Sequence, residues 1–161
     1  MTAVANAIDR ASANSPFLGG LMDRNPDLME YIRAGDLEAA LESALNRTGE
    51  SMGSALRRQR QGVALVTALA DLAGIWDLTR VTRILSDFAD HALDQAIATA
   101  IEERVPGAPN QGFAVIGLGK HGGRELNYSS DIDPIFLFDP QTLPHRERDD
   151  VAEAAVRYGR R

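Results

Sequence analysis

The stretch that decides the fold is Gly117–Asp133, with the sequence GLGKHGGRELNYSSDID, and it lies between two short apolar runs. The run before it is Phe113–Ile116, and the run after it is Ile135–Phe138. Continuous apolar runs of this length are typical of strands that are buried on both faces. We therefore predict two buried strands that are joined by a glycine-rich turn and a polar loop.

Two carboxylates, Asp131 and Asp133, stand where the second strand is expected to begin. Side chains two residues apart in a strand point to the same face. Two carboxylates on one face repel each other unless a cation lies between them, and hard oxygen ligands suit Mg²⁺. We therefore predict a Mg²⁺ site at this pair. The alternative is that both residues only cap or close a turn.

The turn itself is rich in glycine and carries two cations. Gly122 and Gly123 have no Cβ, so their backbone is able to approach a phosphate closely, and Lys120 and Arg124 are placed to balance phosphate charge. A turn that holds phosphates beside carboxylates that hold metal ions favours metal-assisted nucleotidyl transfer. The alternative is a tight turn with solvated cations.

A second interpretation of the turn is a dinucleotide-binding site. Gly117-x-Gly119-x-x-Gly122 follows a predicted strand, and Asp139 ends the next strand at a suitable distance for a ribose contact. That fold requires a packed helix between its strands, whereas Gly123 and Asn127 here are poor helix formers. A third hypothesis is a non-catalytic helical interaction module whose strand region is only structural.

The region 1–105 is predicted to be helical and to lead into the second region, 106–161. Short helices are expected after Ser15-Pro16, Asn25-Pro26 and Asp36, because each begins with a capping side chain. Gly35 is expected to end the helix before Asp36. Two longer helices are expected from about 49 to 73 and from 77 to 104. The proline- and glycine-rich stretch 106–110 then marks the boundary.

Composition limits the classes of function. The formal net charge is -6, which argues against a nucleic-acid partner because such partners select a basic face. The chain has no cysteine, which excludes disulfides and thiolate metal sites. No apolar run approaches the length of a membrane span, and the first residues do not form a secretory signal pattern. The expected location is the cytoplasm.

The stretch Gly117–Asp133 and the following Ile135–Phe138 resemble the nucleotidyltransferase motif of the glutamine-synthetase adenylyltransferase/deadenylylase family. Upstream segments resemble the helical region that precedes this motif, so the resemblance covers about Ser15 to Asp139. It implies an α+β fold in which a helical N-terminal region is followed by the beginning of a polymerase-β-like nucleotidyltransferase palm. It also implies catalytic, metal-binding roles for Asp131 and Asp133. Nucleotide-binding roles follow for the residues Lys120, Gly122, Gly123, Arg124 and Ser130.

The variant of the motif resembles that of the first, deadenylylating domain of the family. The resemblance implies removal of AMP from a tyrosine of glutamine synthetase by phosphate, giving ADP, or addition of AMP from ATP, with Mg²⁺ as the cofactor. The implied partners are glutamine synthetase and a PII-type signal protein. A third carboxylate of the family motif is expected beyond Arg161, so the chain is expected to be a fragment that is inactive alone. Pro134 departs from the family motif, in which an aliphatic residue is usual.

Overall fold

The computed structural model describes residues 2–160, which form eight helices and one two-stranded antiparallel sheet. The expected α+β class is thus confirmed at the level of helices plus a small sheet. Met1 and Arg161, the ends of the two predicted regions, lie outside the described residues. The chain divides into two compact units, Met1–Phe88 and Ala89–Arg161.

The first unit is helical. It consists of five helices and the beginning of a sixth: α1 Ala3–Asn14, α2 Pro16–Arg24, α3 Pro26–Ala34, α4 Leu37–Leu45, α5 Met52–Leu72 and α6 Leu78–Arg104. The predicted caps at Ser15 and Asp36 are confirmed, because their side chains accept hydrogen bonds from the amides of Leu18 and Ala39. Gly35 ends α3 in the left-handed region at φ +82°, as its position predicts.

Asn25 precedes α3 as predicted, but its side chain does not cap that helix. Its Nδ2 donates to the carbonyl of Leu21 at 2.6 Å, and its Oδ1 accepts from the guanidinium of Arg47. The predicted cap is therefore wrong. Because Asn25 is only 2 % exposed, both its side-chain Nδ2 and its Oδ1 need hydrogen-bond partners inside the protein. Those partners are not the backbone amides at the start of α3.

The core of the first unit lies between α4, α5 and the shorter helices. Gly62 of α5 lies close against α4, since a Cβ at this position would lie 2.8 Å from the Cβ of Ala44. Trp76, at the break between α5 and α6, is buried in the same core. The fully buried members with large side chains are Leu21, Leu28, Met29, Ile32, Val63, Leu65, Val66, Leu69 and Val81.

The second unit contains the rest of α6, the sheet and two further helices. Its elements after α6 are β1 Phe113–Gly117, α7 Gly119–Gly122, β2 Pro134–Phe138 and α8 Val151–Gly159. The end of α6 belongs to this unit because Ile97 and Ile101 share a buried cluster with Leu143 and Tyr158. The compact units therefore divide within α6, whereas the predicted regions meet at the loop that follows it.

The sheet is covered on one face only, and that cover is partial, because Phe136 and Phe138 of the same face are 37 % and 39 % exposed. Its antiparallel register runs from Phe113 opposite Phe138 to Gly117 opposite Pro134. Phe113 lies on the covered face, where its ring packs edge-on to Tyr158 of α8 with centroids 6.2 Å apart. On the other face Ile116 and Leu137 remain 47 % and 48 % exposed. The prediction that both strands are buried on both faces is therefore wrong, because no described element covers the second face.

The strand β2 begins at Pro134, which suits a residue that has no N–H to donate to a strand ladder. The described helices include none that has both the length and the apolar character needed to cross a bilayer.

Candidate functional site

The glycine-rich turn and the Asp-x-Asp loop meet at one end of the sheet. Gly117, the last residue of β1, pairs with Pro134, the first residue of β2. Beyond this pair the backbone N–H of Leu118 donates to the carbonyl of Asp133 at 3.1 Å. Two segments that are about fifteen residues apart in sequence are thus joined directly, and this junction creates the candidate site.

The glycine-rich segment contains one helical turn, α7, and the glycines in and after this helix have different roles. Gly119 has φ +57°, a conformation that L side chains rarely adopt. A Cβ on Gly122 would overlap the carbonyl oxygen of Gly117, so this glycine permits α7 to pack on β1. A Cβ on Gly123 would have its nearest neighbour at 3.4 Å, and Gly123 is exposed. Of the two adjacent glycines, Gly123 is therefore the one at which a Cβ fits without overlap, although its N–H already donates to the carbonyl of Gly119 at 3.0 Å.

The two cations of the turn have different surroundings. Lys120 is exposed. The guanidinium of Arg124 is half-exposed and lies 3.2 Å from Oδ2 of Asp90, a residue of α6. The other oxygen of Asp90 lies 2.7 Å from Nε2 of His121. His121 is a buried residue of α7.

The loop before β2 is closed by its own polar side chains. Oδ1 of Asn127 accepts from the backbone N–H of Ser129 and from the hydroxyl of Ser130, both at 3.0 Å. The Ser130 hydroxyl in turn accepts from the backbone N–H of Asn127. Leu126, which is 4 % exposed, anchors the start of the loop. The hydroxyl of Ser130 thus supports the loop that carries Asp131 and Asp133.

Asp131 and Asp133 lie in the loop that precedes β2 and not within the strand. The prediction that they stand at the start of the strand is therefore wrong, because β2 begins one residue later at Pro134, whereas their common face and their Mg²⁺ site stay predictions. Both residues are exposed. Within residues 2–160 no group of three or more acidic, histidine or cysteine side chains is arranged to hold a metal ion. A cation at this site would therefore take protein oxygens from the two aspartates and the rest of its ligands from water or a bound phosphate.

The dinucleotide-binding alternative does not fit the sheet. That fold requires parallel strands joined by a crossover helix. Here β1 and β2 run antiparallel, and α7 has only four residues. Asp139, the expected ribose ligand, closes the turn after β2, where its oxygens accept from the Gln141 amide at 2.9 Å and the Thr142 hydroxyl at 2.8 Å. These two hydrogen bonds lower the pKa of Asp139 below its ordinary value.

The sequence did not predict that Asp90 contacts His121 and Arg124. Asp90 lies 31 residues before His121 and 34 before Arg124, on a helix whose local pattern carries no sign of the turn. No spacing rule within one helix or strand connects positions so far apart, so only the tertiary structure could reveal the pair.

The fold and the site define an α+β chain with a helical region, followed by a strand pair that brings a glycine-rich turn beside an Asp-x-Asp loop. The family model described as glutamate-ammonia ligase adenylyltransferase matches residues 5–161. The chain belongs to this family, as its motif predicts.

Relatives with the name bifunctional glutamine synthetase adenylyltransferase/adenylyl-removing enzyme are similar over most of this chain. The protein of Caulobacter vibrioides is 36 % identical over 164 residues, which is 90 % of this chain and 17 % of the relative. That of Xanthobacter autotrophicus is 36 % identical over 89 % of this chain and 16 % of its own length. The protein of Rhizobium meliloti is 33 % identical over 94 % of this chain and 18 % of its own length. The chain thus spans about a sixth of these relatives, and no solved structure matches it.

Proposed function

We propose that this chain supplies a nucleotide- and Mg²⁺-binding element for AMP transfer on glutamine synthetase. The hydrogen bond between Leu118 and Asp133 supports the proposal, because it joins the glycine-rich turn to the loop of Asp131 and Asp133 at one end of the sheet. The names of the relatives support the substrate and the transferred group.

In the proposed site, Gly123 and Lys120 contact the phosphates, while Asp131 and Asp133 hold Mg²⁺. Ser130 acts through its bonds to Asn127, which fix the loop that carries the two aspartates. Arg124 adds positive charge at the edge of the turn. When bound, Mg²⁺ compensates the negative charge of the phosphates and of the two carboxylates.

The favoured reaction is the removal of AMP by phosphate. An oxygen of inorganic phosphate attacks the phosphorus of the AMP group, the bond to the tyrosine oxygen breaks, and that oxygen takes up a proton. The products are ADP and unmodified tyrosine. Addition of AMP from ATP, with pyrophosphate as the leaving group, is the alternative reaction. A cytoplasmic location and control by a PII-type signal protein complete the proposal.

Titration calorimetry of the chain tests the nucleotide class. We expect ADP to bind in the presence of Mg²⁺ and a nicotinamide dinucleotide not to bind. Release of ADP from adenylylated glutamine synthetase, with and without phosphate, tests the reaction. We expect this chain alone to release far less ADP than a full-length family member, because two exposed aspartates hold Mg²⁺ weakly. Nicotinamide dinucleotide binding without ADP binding would overturn the proposed function.

A further inference from the structure

The carboxylate of Asp90 connects α6 to the glycine-rich turn at two points. Its Oδ1 lies 2.7 Å from Nε2 of His121, and its Oδ2 lies 3.2 Å from the guanidinium of Arg124. These two partners lie on either side of Gly122 and Gly123 in sequence. One side chain of a long helix therefore holds both flanks of the segment that is proposed to contact phosphate.

The backbone of Arg124 is held in an unusual conformation at this point. Its φ of +58° makes it the one non-glycine residue with positive φ in the described range 2–160. The N–H of Arg124 donates to the carbonyl of His121, and the N–H of Glu125 donates to the carbonyl of Lys120 at 2.7 Å. These two hydrogen bonds end α7, and glycine is the usual residue at the position that Arg124 occupies in such a helix ending. Since glycine would adopt this conformation more easily, the presence of arginine indicates a role for its side chain.

His121 holds the other flank from inside the protein. Its side chain is 3 % exposed. A Cβ on Gly117 would lie 2.7 Å from its Nδ1, so the imidazole lies directly against the end of β1. In the described range Nδ1 has no hydrogen-bond partner, so Asp90 provides the hydrogen bond that orients the ring.

We propose that Asp90 is a positioning residue, which holds the glycine-rich turn through His121 and Arg124 in the geometry that phosphate binding requires. This inference rests on the proposed function, since it concerns the same site. In this role Asp90 acts through His121 and Arg124 and not by binding the phosphates itself. Its removal should change the affinity for the phosphates of ADP much more than it changes the stability of the fold.

The test compares three substitutions at Asp90 with a control in the full chain. Asp90→Asn retains an acceptor for His121 and loses the charge that faces Arg124. Asp90→Ala removes both contacts, and Asp90→Glu restores the carboxylate with one more methylene. Asp94→Asn is the matched control, because Asp94 is exposed and lies one helical turn further along α6. The dissociation constant for ADP with Mg²⁺ and the melting temperature are measured for each variant.

We expect Asp90→Asn to weaken ADP binding by about tenfold, Asp90→Ala to weaken it more, and Asp90→Glu to recover part of the loss. The melting temperature of Asp90→Asn should fall by less than about 4 °C, because the lost ion pair is half-exposed. Asp94→Asn should match the unsubstituted chain in both measurements.

Unchanged ADP affinity in Asp90→Asn and Asp90→Ala, with normal binding by the unsubstituted chain, would overturn the positioning role and leave the proposed function standing. Equal losses of affinity and stability, without recovery in Asp90→Glu, would also overturn it, because they would show a purely structural contact. Absence of ADP binding by the unsubstituted, folded chain would overturn both proposals.

Discussion

Leu118 and Asp133 are joined by one backbone hydrogen bond of 3.1 Å, and this bond connects the glycine-rich turn to the Asp-x-Asp loop. It continues the strand ladder one step beyond the pair Gly117 and Pro134. A change that moves either segment should therefore affect the other, and this coupling underlies the predictions for the site.

The first prediction separates the two adjacent glycines. Gly122→Ala places a Cβ against the carbonyl oxygen of Gly117, so we expect a loss of about 1–3 kcal/mol in the free energy of unfolding. Gly123→Ala has room for its Cβ, so stability should stay the same or rise by up to about 1 kcal/mol. Its affinity for ADP should fall, because the Cβ occupies the surface offered to phosphate. Chemical denaturation and ADP titration measure the two effects, and equal behaviour of the two variants would contradict the assignment.

The second prediction concerns the polar network of the helical unit. The guanidinium of Arg47 binds Oδ1 of buried Asn25 and both oxygens of Asp27 at 2.7 Å, while the Arg47 carbonyl accepts from Gln59. Arg47→Ala leaves the Asn25 oxygen without its donor, so we expect the free energy of unfolding to fall by about 1–3 kcal/mol. Urea denaturation checks this. Arg33→Ala, at an exposed position of α3, serves as the control and should change stability by less than about 0.5 kcal/mol.

The third prediction is a dependence of stability on pH through Asp149. Burial alone would raise the pKa of this carboxyl, but the hydrogen bond and charge of Arg104 and the charges of Arg157 and Arg146 bring the pKa below its ordinary value. Its contribution to stability is therefore complete above the unfolded pKa of about 3.9 and is lost as the pH falls through the lower folded pKa.

The melting temperatures of the chain and of Asp149→Asn should therefore differ at pH 7 and converge as the pH falls below about 3.9. The comparison with the variant isolates Asp149, because Asp27 and Asp139 also have lowered pKa values. A gap in melting temperature that stays constant down to the lowest pH at which the chain folds would contradict this assignment.

The elements of the fold could be predicted where short-range chemistry determines them. Ser15 and Asp36 cap helices because their side chains reach amides three residues later, and the apolar runs at Phe113 and Ile135 form strands. Burial of the strands could not be predicted in the same way. An apolar run fixes a strand, but the packing of other elements against it decides which faces are covered, and Ile116 is left exposed.

The same distinction holds for the candidate site. The glycines and the aspartate pair were predicted from their residue types, and the structure brings the two segments together. The separate roles of Gly122 and Gly123 could not be predicted, because the difference is the position of one carbonyl oxygen of β1. Asp90 could not be predicted either, since its contacts with His121 and Arg124 arise only when α6 packs beside the turn.

The most direct test of the account is whether Asp131 and Asp133 form one Mg²⁺-dependent nucleotide site with the glycine-rich turn. ADP affinity is measured by calorimetry, with and without Mg²⁺, for the chain, Asp131→Asn, Asp133→Asn, the double variant and the control Asp94→Asn. We predict Mg²⁺-dependent binding that falls by at least about tenfold in each single variant, and a double variant no weaker than the weaker single one, because both residues hold the same ion. Binding that is independent of Mg²⁺, or that is unchanged by both substitutions, would contradict the account.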